Sequence, residues 1–417
     1  MKFAIFSRFR TLLPVVTAVC LFTVCAGVSN GEPQKDNPNM MALPPMKEQF
    51  KKYFLMGNIA SNTVVNGIAD GKINDARLLR HYNILTAENY MKPAYLSSAR
   101  DEATGEIAYN FTVNANPNRV PVDNFVNAAL ASGFLIHGHV LLWHRQNAQW
   151  MNALMNDSSV TKEGAIAIMR QYITDVMTHY KGKIYSWDIL NEAFPDGVSA
   201  GADWKTSMRT TGDSQSPNPW FVKIGSDFVY EGFLAARLAD PDAILYYNDY
   251  NTDQAGKAAM IRDMVRDVND RYKQEYPAEN RLLIEGIGMQ EHHNTTVTAA
   301  GIRAALELFK PLGVIVSVSE LDVLSQPYGD FENKKEPTEQ GKLAAAKRYG
   351  EYFKLYLEYS DIIERVTLWG VFDRQSWRRT GLPLLFEGDD PDSLTPVNCF
   401  AKPAYYKIIE ALEQIRN

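Results

Sequence analysis

Two carboxylates stand out by where they fall in the chain. Glu192 closes the apolar run "WDILNEAF" (residues 187–194) directly after Asn191, and Glu320 ends "VIVSVSEL" (314–321), two residues before Asp322. Short apolar runs rich in β-branched and aromatic residues read as buried strands, so each acid sits at a strand's C-terminal end. Other strand-like runs end in polar groups too. "NILTAEN" (83–89) offers Glu88 and Asn89, with Lys92 just beyond, and "FLIHGHVLLW" (134–143) offers His137, His139 and Trp143, followed by His144. "AILYYNDY" (243–250) offers Asn248 and Asp249; "LLIEGIGMQ" (282–290) ends at Gln290, followed by Glu291, His292 and His293; "RVTLWGVF" (365–372) carries Trp369, with Asp373 and Trp377 beyond. Two facing carboxyl groups can protonate a leaving oxygen with one and attack carbon or activate water with the other, as glycoside hydrolysis requires. Tryptophan rings suit the apolar faces of sugars, and amide, lysine and histidine groups hydrogen-bond hydroxyls. Taken singly, a strand-end glutamate is more often a solvated carboxylate and a tryptophan more often packing. Five of the seven histidines, however, fall within residues 134–144 and 290–293.

These groups need elements to hold them. With "YFLMGNIA" (53–60) and "IYSWDILN" (184–191) the strand-like runs number eight, and amphipathic stretches such as "VDNFVNAALAS" (122–132), 162–180, 253–272 and 340–359 lie between them. Strands alternating with helices point to an α/β fold with a parallel sheet, and eight such units over residues 46–417 predict a single (β/α)8 TIM barrel. A doubly wound open sheet fits less well, since no G-x-G-x-x-G follows the first strand. Barrel chemistry sits at the C-terminal ends of the strands, and strands four and seven face each other across the mouth. Side chains two apart on a strand share a face. On that count Val314, Val316 and Val318 fill a barrel layer beneath Glu320, His139 pairs with Trp143, and Gln290 pairs with His292. Asn191 and Glu192 are neighbours and point opposite ways unless the strand bulges, so an irregularity is predicted there.

Seven stretches in order resemble glycoside hydrolase family 10, the retaining endo-β-1,4-xylanases: "TAENYMKP" from Thr86, "HGHVLLWH" from His137, "WDILNEAF", "YYNDYN" from Tyr246, "GIGMQEHH" from Gly286, "SELDV" from Ser319 and "TLWGVFDRQSWR" from Thr367. The resemblance implies Glu192 as acid/base and Glu320 as nucleophile. It also implies Asn191 on the hydroxyl beside the reacting carbon, His292 on the nucleophile and Asp322 orienting that histidine. Glu88, Asn89, Lys92, His139, Trp143, Gln290, Trp369 and Trp377 match positions lining the glycone subsites. A retaining mechanism needs the carboxyl groups ~5–5.5 Å apart. Hydrogen bonds to Glu320 from His292 and Asn191 are expected to keep it ionised and Glu192 protonated. Departures from the family pattern at His137, Glu291, His293, Arg374 and Gln375 are expected at the cleft rim, and the connections 195–219 and 323–339 are expected to shape the cleft.

A chain of 417 residues, 46% hydrophobic, can bury a large core, and a net charge of -6 without a basic stripe gives no reason to expect a nucleic-acid partner. The partner implied is xylan or a xylo-oligosaccharide; no cofactor and no metal are expected, and a monomer is expected. Two rival classes are a noncatalytic polysaccharide binder keeping the aromatic platforms, and a metal-dependent barrel hydrolase using His137, His139, His292 and Asp373. At the N-terminus, Lys2, Arg8 and Arg10 precede an apolar run over 12–28 ending in Ala26 and Gly27, which reads as a cleaved signal peptide over 1–29, followed by a polar segment over 30–45. Export follows, to the periplasm or the medium. Pro14 within the run and the absence of a basic stop-transfer cluster argue against a stable membrane span. A lipid anchor on Cys25 is the alternative, with Val24 bulkier than such sites favour. Cys20 and Cys25 lie in this leader, so Cys399 alone remains and no internal disulfide is expected.

Overall fold

The computed structural model describes residues 38–210, 217–388 and 398–416. The leader over 1–29, with Cys20 and Cys25, lies outside the described residues. Among the described residues, eight parallel strands form the barrel: β1 (Leu55–Ala60), β2 (Ile84–Ala87), β3 (Leu135–Leu142), β4 (Ser186–Asn191), β5 (Ile244–Asp249), β6 (Gly286–Met289), β7 (Ile315–Leu324) and β8 (Ile363–Leu368). They pair in chain order, and β8 closes the ring by pairing with both β1 and β7. The expected (β/α)8 barrel is therefore formed. Around it run α1 (Val122–Ala131), α2 (Lys162–His179), α3 (Asp227–Ala239), α4 (Ala255–Glu275), α5 (Ala299–Phe309), α6 (Glu339–Glu358) and α7 (Pro403–Arg416). Both α2 and α6 start on a threonine whose hydroxyl accepts a first-turn N–H, Thr161 from Gly164 and Thr338 from Gly341. None of the helices in the described residues is long and apolar enough to cross a membrane.

The inside of the barrel is polar, which the parity count did not anticipate. Arg365 on β8 reaches across to Ser186 on β4 (Nη1 to Oγ, 3.1 Å) and lies 5.0 Å from the Tyr246 ring centre on β5. Residues in register on parallel strands share a face. Ser317 is in register with Arg365 and takes the inward side, so Val316 and Val318 turn outward into the apolar layer shared with the helices, where both are buried. The valine layer expected beneath Glu320 does not form. A register shift against β8 between Val318 and Leu321 changes the parity and lets Glu320 reach the mouth.

Beside Ser186, His137 Nδ1 lies 2.8 Å from its hydroxyl, and the Asp188 carboxylate approaches both His137 Nε2 (3.0 Å) and His139 Nδ1 (2.8 Å). Glycine makes room for one further polar side chain. A Cβ on Gly288 would stand 2.2 Å from Asn248 Oδ1, so the bare backbone of β6 is what allows the Asn248 amide to lean toward β7.

The chain's described N-terminal end is strapped to the barrel wall. Asn39 bridges Phe400, and the His81 ring spans two backbone groups, with Nε2 2.9 Å from the Met40 carbonyl and Nδ1 accepting the Met46 N–H at 3.4 Å. Burial pushes His81 down to about 4. Cys399, the one cysteine among the described residues, is buried against Met40 (3.7 Å between sulfurs), and burial pushes its thiol up to about 12.

Candidate active site

Asn191 and Glu192 reach the barrel mouth together because β4 is irregular at its end, as predicted. The register with β5 shifts between Asp188 and Leu190, and Glu192 takes a left-handed backbone conformation with φ 56°. Non-glycine residues rarely hold this conformation without support from their surroundings. Here the Glu192 N–H donates to the Asn248 carbonyl (2.9 Å), and the Asn191 amide donates to Glu192 Oε1 (3.2 Å).

Glu320 faces them from β7. Its Oε1 accepts from Asn248 Nδ2 (2.8 Å), and its Oε2 lies 3.1 Å from His292 Nε2. The same Asn248 amide donates to Asn191 Oδ1 (3.0 Å), and Gln290 Nε2 donates to both Asn191 Oδ1 (3.1 Å) and Glu192 Oε1 (3.0 Å). One network of three amides thus joins the two carboxylates. The bond expected from Asn191 to Glu320 is made by Asn248 instead, because Asn191 is occupied with Glu192. Behind His292, Asp322 lies 3.0 Å from Nδ1 and accepts from Arg378 Nη1 (2.7 Å) and Trp377 Nε1 (3.0 Å).

The charges follow from these contacts. Burial opposes a charged His292, but the carboxylates of Asp322 and Glu320 outweigh it and push the imidazole up to about 9. It therefore stands as a cation against Glu320 at neutral pH. For Glu192, burial favours the neutral acid, yet the charge of His144 at 3.8 Å, the Gln290 amide and the Trp143 indole N–H together hold the carboxyl below its usual range. These three neighbours, with the charge of Arg209, favour the anion in the unliganded site, where a protonated Glu192 was expected. Burial pulls Lys92 down against the opposing pull of Glu320, Glu88 and Glu192, and it pushes Glu88 up against Lys92.

On one side of the carboxylates the remaining candidates assemble. Lys92 Nζ donates to Gln146 Oε1 (2.9 Å) and Asn89 Oδ1 (3.2 Å) and lies 5.1 Å from the Trp143 ring centre. His139 lies 6.3 Å from Trp143 and 5.8 Å from Trp369, ring to ring, and His292 lies 6.2 Å from Trp369 and 5.1 Å from Trp377. Trp377 is 59% exposed and forms an open face at the mouth.

Residues 45–411 match the description of glycosyl hydrolase family 10. The chain belongs to that family. An endo-1,4-beta-xylanase of Geobacillus stearothermophilus is 30% identical over 377 residues, covering 88% of this chain and 98% of its own length. Endo-1,4-beta-xylanase A of Thermotoga maritima is 31% identical over 386 residues, 91% of this chain, and the chain spans only 31% of that relative's length. Among solved structures, a bacterial Ig-like domain containing GH10 xylanase from termite gut is 50% identical with a TM-score of 0.82, covering 92% of this chain and 80% of that one.

Within this family 10 barrel, three departures lie elsewhere than expected. His137 is inside the barrel with Asp188 and Ser186. Glu291, at φ 61°, turns away from the mouth, where its carboxylate meets His293 Nε2 (2.8 Å) and the Tyr356 hydroxyl (3.0 Å). All three residues are buried rather than at the rim; Arg374 is exposed. The residues proposed as metal ligands are dispersed: His139 and His137 share Asp188, His292 pairs with Glu320 and Asp322, and Asp373 pairs with Lys402 (2.8 Å). Gln146, Arg209 and Arg378 also meet these residues, and no strand-end position in the sequence marks them. Asn248 is a strand-end amide whose role at Glu320 has one signal in the sequence, its place one strand from Asn191.

Proposed function

We propose that the protein is an endo-acting hydrolase of β-1,4-xylosidic bonds in xylan or xylo-oligosaccharides, retaining anomeric configuration by double displacement. Support comes from family membership, from relatives named endo-1,4-beta-xylanase, and above all from the amide network that ties Glu192 and Glu320 into one site. In the first step Glu320 forms a bond to the anomeric carbon as the bond to the leaving oxygen breaks, and that oxygen takes the proton of Glu192. In the second step Glu192, now a carboxylate, takes a proton from water, whose oxygen attacks the same carbon and releases Glu320. The His292 cation steadies the Glu320 charge before attack and when it returns. Asn191 serves the sugar hydroxyl beside the reacting carbon, while Glu88, Asn89, Lys92, His139, Trp143, Gln290, Trp369 and Trp377 hold the glycone sugars. Asp322 fixes the His292 ring.

The deciding experiment follows the products of a xylo-oligosaccharide by proton NMR and then follows two variants in azide on 2,4-dinitrophenyl β-xylobioside, whose leaving group needs no proton. Retention predicts the β-anomer first. Glu320→Ala is expected to lose turnover and, with azide, to form the α-xylosyl azide, whereas Glu192→Ala forms the β-azide. Inverted first product, or azide adducts the other way round, would sink the assignment.

A further inference from the structure

Arg209 lies in the connection after β4, outside every motif read in the sequence, and is 4% exposed. Its donors converge on the turn that carries Glu192. Nε donates to the Glu192 carbonyl (3.1 Å), Nη2 donates to the Phe194 carbonyl (2.9 Å) and the Tyr250 hydroxyl (2.9 Å), and its backbone N–H donates to the Ala193 carbonyl (2.9 Å). Three consecutive carbonyls are thus held by one residue. The turn they belong to begins with Glu192 at φ 56°, a conformation that persists only where neighbours over-determine it. A flexible carboxyl on a loose turn would lose its aim at a leaving oxygen, since proton transfer requires approach within hydrogen-bond distance.

The guanidinium is itself fixed. Tyr250, whose hydroxyl accepts from it, has the Lys257 ammonium 3.5 Å from its ring centre, and Lys257 is anchored at 3.1 Å by both Asp249 and Asp196. The chain of contacts therefore runs from α4 through β5 to the acid-bearing turn. Apart from the Tyr250 hydroxyl, the acceptors that the Arg209 side chain meets are backbone carbonyls of the acid-bearing turn.

We infer that Arg209 is a positioning residue for the acid/base: it sets the backbone of the Glu192–Ala193–Phe194 turn so that the Glu192 carboxyl meets the leaving-group oxygen. The inference rests on the proposed role of Glu192. It implies that the connection after β4 does more than shape the cleft.

The test compares two aryl β-xylobiosides, one with a phenol leaving group that needs a proton and one with 2,4-dinitrophenol that does not, reading kcat/KM, which reports the first step. Arg209→Met is expected to lower kcat/KM on the phenyl substrate about tenfold or more, and on the dinitrophenyl substrate by less than about threefold. Arg209→Lys, which keeps the charge but cannot reach all the carbonyls, is expected to recover part of the phenyl rate. Should Arg209→Met fail to fold, as thermal melting would reveal, Arg209→Lys and Tyr250→Phe carry the test, with the same discrimination at smaller size. An equal fall on both substrates, or none on either, overturns the inference. Glu192→Ala run alongside separates the two claims: if it too shows no discrimination, the role of Glu192 has failed; if it discriminates and the Arg209 variants do not, the inference alone has failed.

Discussion

At the scale of single residues, the site is a set of charges held by neutral donors and by buried cations. Asn248 is the amide that Glu320 depends on, because its Nδ2 reaches Oε1 at 2.8 Å. A hydrogen bond to a charged group contributes ~1.5–3 kcal/mol, so Asn248→Ala is expected to lower kcat roughly tenfold to hundredfold with KM little changed, as steady-state kinetics on a xylo-oligosaccharide would measure. His144 controls the other carboxyl. Its charge is the foremost influence holding Glu192 low against burial, so His144→Gln removes a pull toward the anion and raises the Glu192 carboxyl. Because the first step needs Glu192 protonated, the alkaline limb of kcat/KM should move to higher pH in that variant; a shift to lower pH would contradict the assignment. His292 carries the opposite sign. Raised to about 9, it contributes stability that is fully present below pH 6.5 and is lost as pH rises through about 9.

At the scale of elements, irregular strand ends bring the chemistry together. The register shifts near Leu190 and between Val318 and Leu321 turn neighbouring residues onto one face, and a glycine on β6 leaves space for Asn248. Gly288→Ala puts a methyl 2.2 Å from the Asn248 amide oxygen. It is expected to destabilise by ~1–3 kcal/mol and to lower kcat as Asn248→Ala does, with Glu320 losing its donor; unchanged kcat in a folded variant would show that β6 yields instead. The N-terminal strap has its own pH response. His81 must be neutral to accept the Met46 N–H while its other nitrogen meets the Met40 carbonyl. Its folded value of about 4 lies below the ordinary 6.5, so stability is fully present above pH 6.5 and falls as the pH drops toward 4, by roughly 2–3 kcal/mol. Urea unfolding across that range should show the loss, and His81→Gln should lessen it.

At the scale of the whole molecule, barrel closure places β4 opposite β7 and so makes one site of residues more than a hundred positions apart. The histidines of that site are engaged with carboxylates, and dialysis against EDTA is expected to leave the proposed hydrolysis of xylan unchanged, with zinc-restored activity the contrary result. Much of this was legible in sequence. Alternating strand and helix patterns are local in origin, so the eight strands and the barrel they imply could be counted, and acids, amides and tryptophans at strand ends marked the mouth because barrel strands point there together. Parity along a regular strand could not place Glu320 above Ser317 rather than above the valines, since a bulge changes which face a residue takes and depends on the neighbouring strand. Likewise His137, Glu291 and His293 look like site histidines and acids in sequence, and only packing buried them elsewhere. Which amide reaches Glu320, which arginine holds the Glu192 turn and which way its proton equilibrium leans were decided by tertiary structure alone, because hydrogen bonds and electrostatic shifts act over a few ångströms between segments that sequence separates widely.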